Sequence, residues 1–369
     1  MGLFLCNLKG YHTKRHIVVF ESDDWGSIRM PSLDAFNFLK KHGVQISDKG
    51  GYNMCDTLAS NDDLELLMDT LTSVKDSHGN PAKITFNCCV ANPDFEKIRE
   101  SDFQEYFYEP FTETLKRYPH HDRSFELWIE GIKNNVFKPQ FHGREHLNAQ
   151  MWMQLLRKNI EPVRLAFDKE VFCMKVEKQQ DPRSHVLVAF NVSAKEDYEF
   201  ARNAVKEGLD LFEKLFGFRS ITMIAPNYTW DPEIEIAAWQ NGIKVLQGAH
   251  VQRPSYYAKK TGAKYERHHT GQKSKVTELK YLVRNCKFEP TRHAYMNADN
   301  CMKEIQSAFR FATPAIVSCH RLNFIGELNP SNRDNNLREF NRLLHMITAK
   351  YPDVEFMSSD ELAKLIMER

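Results

Sequence analysis

Residues 16–26 read HIVVFESDDWG, a short β-branched and apolar run followed at once by ionisable and aromatic side chains. The run His16–Phe20 is typical of a buried strand, and a helical pattern follows it at Ala35–Lys41. Comparable strand and helix patterns alternate along the rest of the chain. Short buried strands that alternate with helices indicate parallel β-α units, so the sequence predicts an α/β fold.

The other predicted elements are recognised by the same two patterns. Strands are predicted at Lys83–Val90, Pro139–His142, Val186–Asn191, Ser220–Ala225, Lys244–Gly248, Ala315–Cys319 and Val354–Met357. Helices are predicted at Asn61–Val74, Ala194–Phe216, Asp231–Gln240, Ala298–Phe311, Asn332–Lys350 and Ser359–Met367. This number of units exceeds what a small open sheet needs, which favours a closed or nearly closed parallel barrel over a doubly wound open sheet.

The chain of 369 residues is long enough for one barrel domain that spans residues 1–369. Residues 251–280 interrupt the alternation with Tyr, Lys, His and Gly, and they hold eight Lys/Arg against two Glu. Such a basic insertion is typical of a solvated surface segment. The alternative is a lid that offers positive charge to an anionic substrate.

The composition excludes several classes of function. A net charge of +1 gives no basis for nucleic acid or an anionic membrane as the partner, and no segment is apolar over the length that spans a bilayer. The eight cysteines contain no CxxC pair, which argues against a zinc ribbon. Reduced thiols predict a cytoplasmic protein, unless an export signal was removed from the sequence. The oligomeric state stays open.

In parallel α/β folds the catalytic side chains gather at the carboxyl ends of the strands. Here the ends of the predicted strands carry ionisable and aromatic residues at 21–26, 142–146, 225–230 and 318–321. Such crowding does little for stability. The sequence therefore predicts a functional site at this edge.

One carboxylate and two imidazoles in these loops suit a metal ion. His142 and His146 are four residues apart, a spacing that puts both rings on one face of a helical turn. The His pair alone is a weak signal, and so is the pair Asp23-Asp24, which is often a turn that caps a helix. Together, Asp24 and the two histidines form a recognised ligand set for zinc or another borderline divalent ion.

Other residues at the same edge have two interpretations. Trp25 and Trp230 either pack in the core or stack on a sugar ring, whereas Trp152 is expected in the core. His320 ends the apolar strand Ala315–Cys319 and is either a satisfied core histidine or a catalytic group. Its position at the same edge as the metal candidates favours catalysis.

These residues resemble the motifs of the polysaccharide deacetylases, the carbohydrate esterases with a NodB-homology domain. The family's Thr-Phe-Asp-Asp corresponds to residues 21–24, and its His-Ser/Thr-x-x-His corresponds to residues 142–146. The resemblance implies a distorted parallel (β/α) barrel of the glycoside hydrolase/deacetylase type, from about residue 16 onward. It also implies that Asp23 is the general base and that Asp24 and the two histidines hold the metal.

The third motif of the family, Arg-x-Pro-aromatic, corresponds less closely. Alignment on Pro226 places Ile224 at the arginine and Asn227 at the aromatic residue. In the family this arginine pairs with the base and fixes its ionisation. The resemblance therefore implies an arginine from another loop, for which Arg144 and Arg321 are the candidates.

The fifth motif, Leu-x-His, corresponds to residues 318–320 and implies that His320 is the general acid. The fourth motif, whose Asp tunes that histidine, has no match, although residues 284–285 and 288–290 lie in the corresponding region. The predicted substrate and oxyanion contacts are Asn227, through its backbone N–H, and Trp25, Trp230 and Arg144.

The resemblance implies a metal-dependent hydrolase that removes acetyl groups from a carbohydrate or a related substrate by cleaving an amide or an ester. The cofactor is a divalent metal, with Zn²⁺ first and Co²⁺, Mn²⁺, Ni²⁺ or Fe²⁺ as alternatives. A glycoside hydrolase that pairs Asp23 with Glu21 or Glu145 is an alternative function. So is a non-catalytic, metal-containing carbohydrate-binding protein. An iron oxygenase ranks last, since its ligand set usually occurs on another fold.

Overall fold

The computed structural model describes residues 7–46, 51–174 and 186–368. Its strands, in chain order, are β1 (Ile17–Trp25), β2 (Ile84–Cys88), β3 (Ala91–Pro93), β4 (Tyr108–Pro110), β5 (Phe137–Phe141), β6 (Thr222–Ile224), β7 (Val245–Gly248), β8 (Val251–Gln252), β9 (Glu266–Arg267), β10 (Lys280–Val283), β11 (Cys286–Lys287), β12 (Ala315–His320) and β13 (Glu355–Met357). β3 pairs with β4 and β8 with β9, both antiparallel. The remaining strands form one parallel sheet.

Helices connect these strands and cover the sheet. They are α1 (Leu33–Lys41), α2 (Tyr52–Cys55), α3 (Asn61–Thr72), α4 (Phe95–Glu100), α5 (Phe111–Leu115), α6 (Ser124–Lys133), α7 (Ala149–Arg157), α8 (Glu161–Phe167), α9 (Asp197–Phe216), α10 (Pro232–Gln240), α11 (Tyr256–Lys260), α12 (Ala298–Arg310), α13 (Pro330–Lys350) and α14 (Ser359–Met367). Side-chain caps explain where several begin. Ser60 and Ser358 each form a reciprocal capping box with the acidic residue three positions later, which satisfies free backbone N–H groups of the first turn.

The parallel sheet curls into a distorted barrel. Its strand order is β10-β7-β6-β5-β2-β1-β12-β11, with β13 added on β1. The two strands at the ends of this path are joined by only Arg284 and Asn285. The backbone N–H of Arg284 donates to Gly248 O at 2.9 Å, and that of Asn285 donates to Ile316 O at 3.1 Å. These two residues therefore bring the sheet edges together, and the predicted α/β barrel architecture is confirmed.

β1 is longer than the sequence predicted. It continues past Phe20 to Trp25, and all nine of its residues are buried. Polar residues usually mark the end of a strand, but here β12 continues the pairing and places His320 opposite Asp23. Partners inside the fold satisfy the polar side chains, so the strand does not end where its apolar residues end.

A β-bulge at the end of β1 directs two neighbouring side chains, Asp24 and Trp25, to different places. The pairing with β2 shifts register between Ser22 and Trp25, and Asp24 within the bulge has a φ of 74°. This left-handed backbone costs most residues about 1–2 kcal/mol, and Asp is among the few types that tolerate it. Trp25 packs flat on Phe86, with 3.6 Å between ring centroids. The bulge thus sends the indole into the core and frees Asp24 to face the cavity described below.

One prediction about the middle of the chain needs correction. Val186–Asn191 was predicted as a strand, but it forms turns. The backbone N–H of Asn148 donates to Val186 O at 2.6 Å, and its side-chain amide donates to Asn191 O at 2.9 Å, so these two carbonyl groups of the segment are satisfied without a sheet. The basic insertion 251–280 is ordered into β8, α11 and β9, and its last residue begins β10.

Apolar side chains fill the space between the sheet and its helices, including Trp152, which is fully buried as predicted. The described cysteines, Cys55, Cys88, Cys89, Cys173, Cys286, Cys301 and Cys319, are all buried. In the described part of the chain, none of the helices has both the length and the apolar character needed to cross a membrane.

Gly26 ends the bulge and offers a test of this packing. Its φ is 79°, and a Cβ there would overlap the carbonyl oxygen of Cys89. We expect Gly26→Ala to lower the free energy of unfolding by about 3 kcal/mol, from strain plus overpacking. Gly43 has a φ of 73° and open space around it, so Gly43→Ala should lose only about 1 kcal/mol. Chemical denaturation of both variants measures the difference, and equal losses would contradict the clash.

Candidate active site

Asp24, His142 and His146 come together in the structure. Oδ1 of Asp24 lies 3.3 Å from Nε2 of His142 and 3.4 Å from Nε2 of His146. The three ligand atoms lie within 4.8 Å of one another, and all three side chains are buried. Zn²⁺ binds imidazole and carboxylate ligands at about 2.0–2.2 Å. A small inward adjustment of these side chains is enough for them to share one ion.

The histidines reach Asp24 from a loop, which corrects the expected helical turn. The loop follows β5, and α7 begins only at Ala149. Gly143 between the histidines has a φ of 114°, a conformation that a helix does not contain. The backbone N–H of His142 donates to Cys88 O at 2.8 Å and so extends the pairing with β2. The loop then turns until the two ring centroids are 5.2 Å apart.

The protonation states suit a metal ion. Nδ1 of His142 donates to Ile224 O at 2.8 Å, which fixes the ring with Nε2 facing Asp24. Burial lowers the pKa of His146 to about 3, so this ring is neutral at physiological pH. Burial opposes ionisation of Asp24, but the hydrogen bond with His142 and the positive charge that the imidazoles can carry outweigh it and hold the pKa of the carboxyl well below its usual range. Metal binding requires an ionised carboxylate and a neutral imidazole, which are the favoured forms of Asp24 and His146.

Asp23, the candidate base, is held by Arg284. Nη1 of Arg284 donates to Oδ2 of Asp23 at 2.7 Å, and Nη2 donates to Oδ1 at 2.6 Å. Asn87 adds a third hydrogen bond to Oδ1 at 2.8 Å. Burial alone would raise the pKa of Asp23, but the guanidinium outweighs burial and lowers it. Asp23 is therefore ionised and fixed in orientation, as a proton acceptor must be.

Glu21 forms the back of the same network. Nε of Arg284 donates to Oε2 of Glu21 at 2.6 Å, while Ser359 and Gln247 donate to Oε1 at 2.8 and 3.1 Å. Glu21 is fully buried, and burial raises its pKa. Arg284 thus connects a carboxylate in the barrel interior to a carboxylate at the cavity.

His320, the candidate acid, is held by Glu289. Nδ1 of the imidazole hydrogen-bonds Oε1 of Glu289, and Asn323 donates to Oε2 of the same carboxylate at 3.0 Å. Burial alone would lower the pKa of His320, but the Glu289 carboxylate outweighs it and raises the pKa to about 9. His320 is therefore protonated at neutral pH. Its Nε2 lies 3.8 Å from Oδ2 of Asp23.

Arg284 and Glu289 were the functional residues that motif alignment missed. Both lie in the regions 284–285 and 288–290, where no family motif matched. The signal that identifies Arg284 is its position directly after β10, at the carboxyl end of a parallel strand. The basic insertion predicted at 251–280 includes the first residue of β10, and the sequence pattern does not predict this strand.

The alternatives considered for the missing arginine are engaged elsewhere. Arg144 donates to both oxygens of Glu145, at 2.6 and 2.8 Å, and Arg321 donates to Asp56 at 2.8 Å. Ile224, at the motif position, is a buried residue of β6 whose carbonyl oxygen serves His142. The arginine that pairs with Asp23 follows β10, and the end of β6 supplies a carbonyl oxygen to His142.

A cavity of about 310 Å³ opens over these groups. It contains the candidate base, acid and metal ligands, together with aromatic, aliphatic and basic side chains. Its lining residues are Asp23, Asp24, Arg29, Tyr52, His142, His146, Leu187, Ala225, Asn227, Tyr228, Arg253, Arg292 and His320. Asn227, expected near the oxyanion, lies in this lining with a left-handed φ of 56°.

Three residues expected at the substrate lie elsewhere, and their assignment is corrected. Trp25 is 1% exposed, because the bulge packs it against Phe86. Trp230 is 2% exposed, and its indole N–H donates to Glu235 at 3.3 Å. Arg144 is buried in its ion pairs. None of the three is among the described residues that line the cavity, whereas Tyr52 and Tyr228 are.

Solved structures share this architecture. A protein from Parabacteroides distasonis assigned as a glycoside hydrolase/deacetylase is similar over 96% of this chain and 72% of its own, with 8% identity and a TM-score of 0.53. A protein from Mycobacterium smegmatis assigned as a polysaccharide deacetylase is similar over 98% and 95%, with 11% identity and a TM-score of 0.45. A 4-alpha-glucanotransferase from Thermococcus litoralis has 12% identity and a TM-score of 0.47. This chain spans 40% of that enzyme's length and is matched over 94% of its own.

The TM-score of 0.53 with the Parabacteroides distasonis structure shows that the two chains share a fold, which is the type of fold that the sequence motifs imply. Fold similarity at such low identity does not establish an activity. No family model matches the chain, and no curated protein matches it.

The Glu289–His320 pair generates a test that is independent of catalysis. In metal-free Glu289→Gln, the carboxylate that raises the pKa of His320 to about 9 is lost. We expect the pKa to fall toward its ordinary value of about 6.5 or below it, because burial then dominates. An NMR titration of the imidazole measures the change. Glu327→Gln is the control, since Glu327 contacts the exposed His120 at 3.3 Å. An unchanged His320 titration in Glu289→Gln would contradict the pairing.

The same pair predicts a stability window. A folded pKa above the unfolded value means that the pair stabilises the protein fully below about pH 6.5 and that this stabilisation is lost as pH rises through about 9. The difference in free energy of unfolding between the wild type and Glu289→Gln should therefore shrink from pH 6.5 to pH 9.5. Urea denaturation at a series of pH values measures it.

Proposed function

We propose that this chain is a metal-dependent hydrolase that removes acetyl groups from a carbohydrate by cleaving an amide or an ester. The observation that carries the proposal is the opposite protonation of Asp23 and His320 at one cavity. Arg284 keeps Asp23 ionised, and Glu289 keeps His320 protonated, with 3.8 Å between Oδ2 and Nε2. One group can accept a proton while the other donates one, beside a buried Asp/His/His set.

Asp24, His142 and His146 are the residues that would hold the ion, with Zn²⁺ proposed first and Co²⁺, Mn²⁺, Ni²⁺ or Fe²⁺ as alternatives. When bound, a divalent ion supplies Lewis acidity to the acetyl carbonyl and makes water easier to deprotonate. The preorganisation of the ligands by Ile224 O and by the bulge at Asp24 supports this assignment.

The remaining steps belong to side chains of this chain. Asp23 accepts the proton of the attacking water, and its bidentate contact with Arg284 keeps the carboxylate oriented. His320 donates its Nε2 proton to the departing amine or alcohol, and Glu289 stabilises the imidazolium before transfer. We assign the backbone N–H of Asn227 as a donor to the developing oxyanion.

The geometry does not favour either alternative function, the glycoside hydrolase or the non-catalytic binding protein. A glycoside hydrolase needs two carboxyl groups at the substrate, but Glu21 and Glu145 do not line the cavity and are bound by Arg284 and Arg144. A non-catalytic binding protein was favoured by the loss of the tuning arginine and of the tuning acid. Arg284 and Glu289 fill both positions from other loops, which removes that reason.

Metal content tests the ligand assignment. We expect purified wild type to hold a divalent ion, and His142→Ala or Asp24→Ala to bind it at least about tenfold more weakly, because each loses a direct ligand. Elemental analysis after dialysis measures the ratio of metal to protein. His120→Ala, at an exposed histidine, should keep the wild-type ratio. Full metal retention in both ligand variants would make the assignment wrong.

Asp23→Asn tests the base without removing a ligand. Asn keeps the shape of the side chain but cannot accept the proton, so we expect kcat to fall by about 10²–10⁴ with metal content unchanged. Acetate release from acetylated oligosaccharides, measured with an enzymatic acetate assay, provides the rate. Undiminished hydrolysis by this variant would exclude Asp23 as the base.

The product distinguishes the three functions. A deacetylase releases acetate and leaves the chain length of the oligosaccharide unchanged, whereas a glycoside hydrolase releases new reducing ends. Metal bound with neither product, over a broad panel of acetylated sugars, would favour the non-catalytic protein. Mass spectrometry of the same reaction mixtures records both losses of acetyl and shortening of the chain.

A further inference from the structure

The candidate active-site cavity contains more positive charge than its catalytic groups need. Arg29, Arg253 and Arg292 all line it, in addition to the candidate metal ligands. The carboxylate of Asp23 is neutralised by Arg284, which lies behind it. The carboxylate of Asp24 faces the two histidines of the metal set. Among the described lining residues, Asp24 comes within 4.0 Å of Arg29, and no carboxylate pairs with Arg253 or Arg292.

Arg29 lies at the base of this cavity, with its side chain 15% exposed. Its Nε is buried and has no hydrogen-bond partner among the described residues. The nearest carboxylate oxygens, of Asp56 at 3.9 Å and Asp24 at 4.0 Å, are beyond hydrogen-bond distance. Asp56 instead accepts a hydrogen bond from Arg321 at 2.8 Å. Because the buried Nε lies nearest Asp56, an anion in the cavity would bind the terminal N–H groups of Arg29, which form no hydrogen bond with either carboxylate.

Arg292 adds a second cation next to Arg29. The guanidinium carbons of Arg29 and Arg292 lie 4.4 and 5.2 Å from the centroid of the Tyr52 ring. Arg292 is exposed, and within the described ranges no carboxylate forms an ion pair with it. Two cations around one ring repel each other, and an anion between them removes that repulsion. Tyr52 stands edge-on to the His320 ring, with 5.6 Å between centroids, so the ring that both arginines approach also contacts the candidate acid.

Arg253 supplies positive charge at a different part of the lining. It belongs to the basic insertion 251–280, and its backbone N–H donates to Tyr228 O at 2.8 Å. That contact places it next to Asn227, the proposed oxyanion donor, whereas Arg29 and Arg292 lie around Tyr52, whose ring contacts His320. The candidate acid protonates the departing part of the substrate. Tyr52 therefore connects the Arg29–Arg292 pair to the group that acts on the departing part.

We propose that the substrate carries an anionic group, a carboxylate or a phosphate, on the part that leaves as the amine or alcohol. Arg29 and Arg292 bind this group beside Tyr52, and Arg253 adds to the positive potential at the cavity. Arg side chains recognise planar carboxylates and phosphates through paired N–H groups. The inference rests on the proposed deacetylation for the direction of the substrate, and on the three arginines for its charge.

The test compares sugars that differ in charge. Calorimetry with the zinc-loaded protein measures binding of neutral N-acetylglucosamine, of its 1-phosphate and 6-phosphate, and of N-acetylmuramic acid, which carries a carboxylate. We expect at least one anionic sugar to bind tenfold or more tightly than the neutral one. The phosphate and carboxylate arms show which anion the site takes. Equal binding of neutral and anionic sugars, or no measurable binding of any anionic sugar, would overturn the inference.

Arginine variants identify the residues that cause the preference for anionic sugars. Arg292→Gln, at an exposed position that is not expected to disturb folding, should remove most of the tenfold preference without weakening the neutral sugar. Arg29→Gln should do the same from the base of the cavity. Arg338→Gln is the matched control, since Arg338 is an exposed arginine of α13 outside the cavity lining. A uniform loss of affinity for all four sugars in Arg292→Gln would contradict a charge-specific contact.

Acetate release from the same four sugars separates this inference from the proposed function. Release without any charge preference keeps the deacetylase and overturns the anion site. An arginine-dependent preference in binding with no acetate from any sugar keeps the anion site and counts against the deacetylase.

Discussion

The bidentate ion pair between Arg284 and Asp23 is the interaction on which the rest of the site depends. The backbone of Arg284 closes the barrel between β10 and β11, and its side chain crosses to β1. It also binds Glu21, so one buried guanidinium holds two carboxylates of the same strand. Breaking a buried pair of this kind leaves uncompensated charge in the interior, which is strongly destabilising. The same residue thus closes the barrel and orients the candidate base.

The candidate acid and base gain their opposite roles from separate partners. Asp23 and His320 face each other across the β1–β12 pairing, where their Cα positions are in register. Without partners, burial would favour the neutral form of both groups. Arg284 stabilises the carboxylate, and Glu289 stabilises the imidazolium. The charges of Arg284 and Glu289 therefore determine which of the two groups accepts a proton and which donates one.

The chemistry of the cavity follows from positions at strand ends. Asp24 follows the last apolar stretch of β1, the two histidines follow β5, and His320 ends β12. Parallel strands bring these ends to one edge, so residues far apart in sequence share a cavity of about 310 Å³. The bulge at Asp24 directs this carboxylate to the cavity, while the neighbouring Trp25 packs on Phe86 in the core. The arginines of the lining give the same cavity its positive character.

The sequence by itself determined the α/β alternation and the carboxylate and imidazoles that meet at the strand ends. Local patterns are enough for these, because an apolar run followed by ionisable residues reports both a buried strand and its exposed edge. It did not show that His142 and His146 meet through a loop, since residue spacing is compatible with either a helical turn or a bend at Gly143.

Only the tertiary structure decided which charges pair. Arg284 is 261 residues from Asp23 in sequence, and no local pattern relates them. The contact between Arg284 and Asp23 forms only when the barrel closes. Trp25 and Trp230 likewise look like sugar platforms in their loops, and packing assigns them to the interior. Strand-end position follows from chain order, but contacts across a barrel depend on its closure and register, which long-range packing sets.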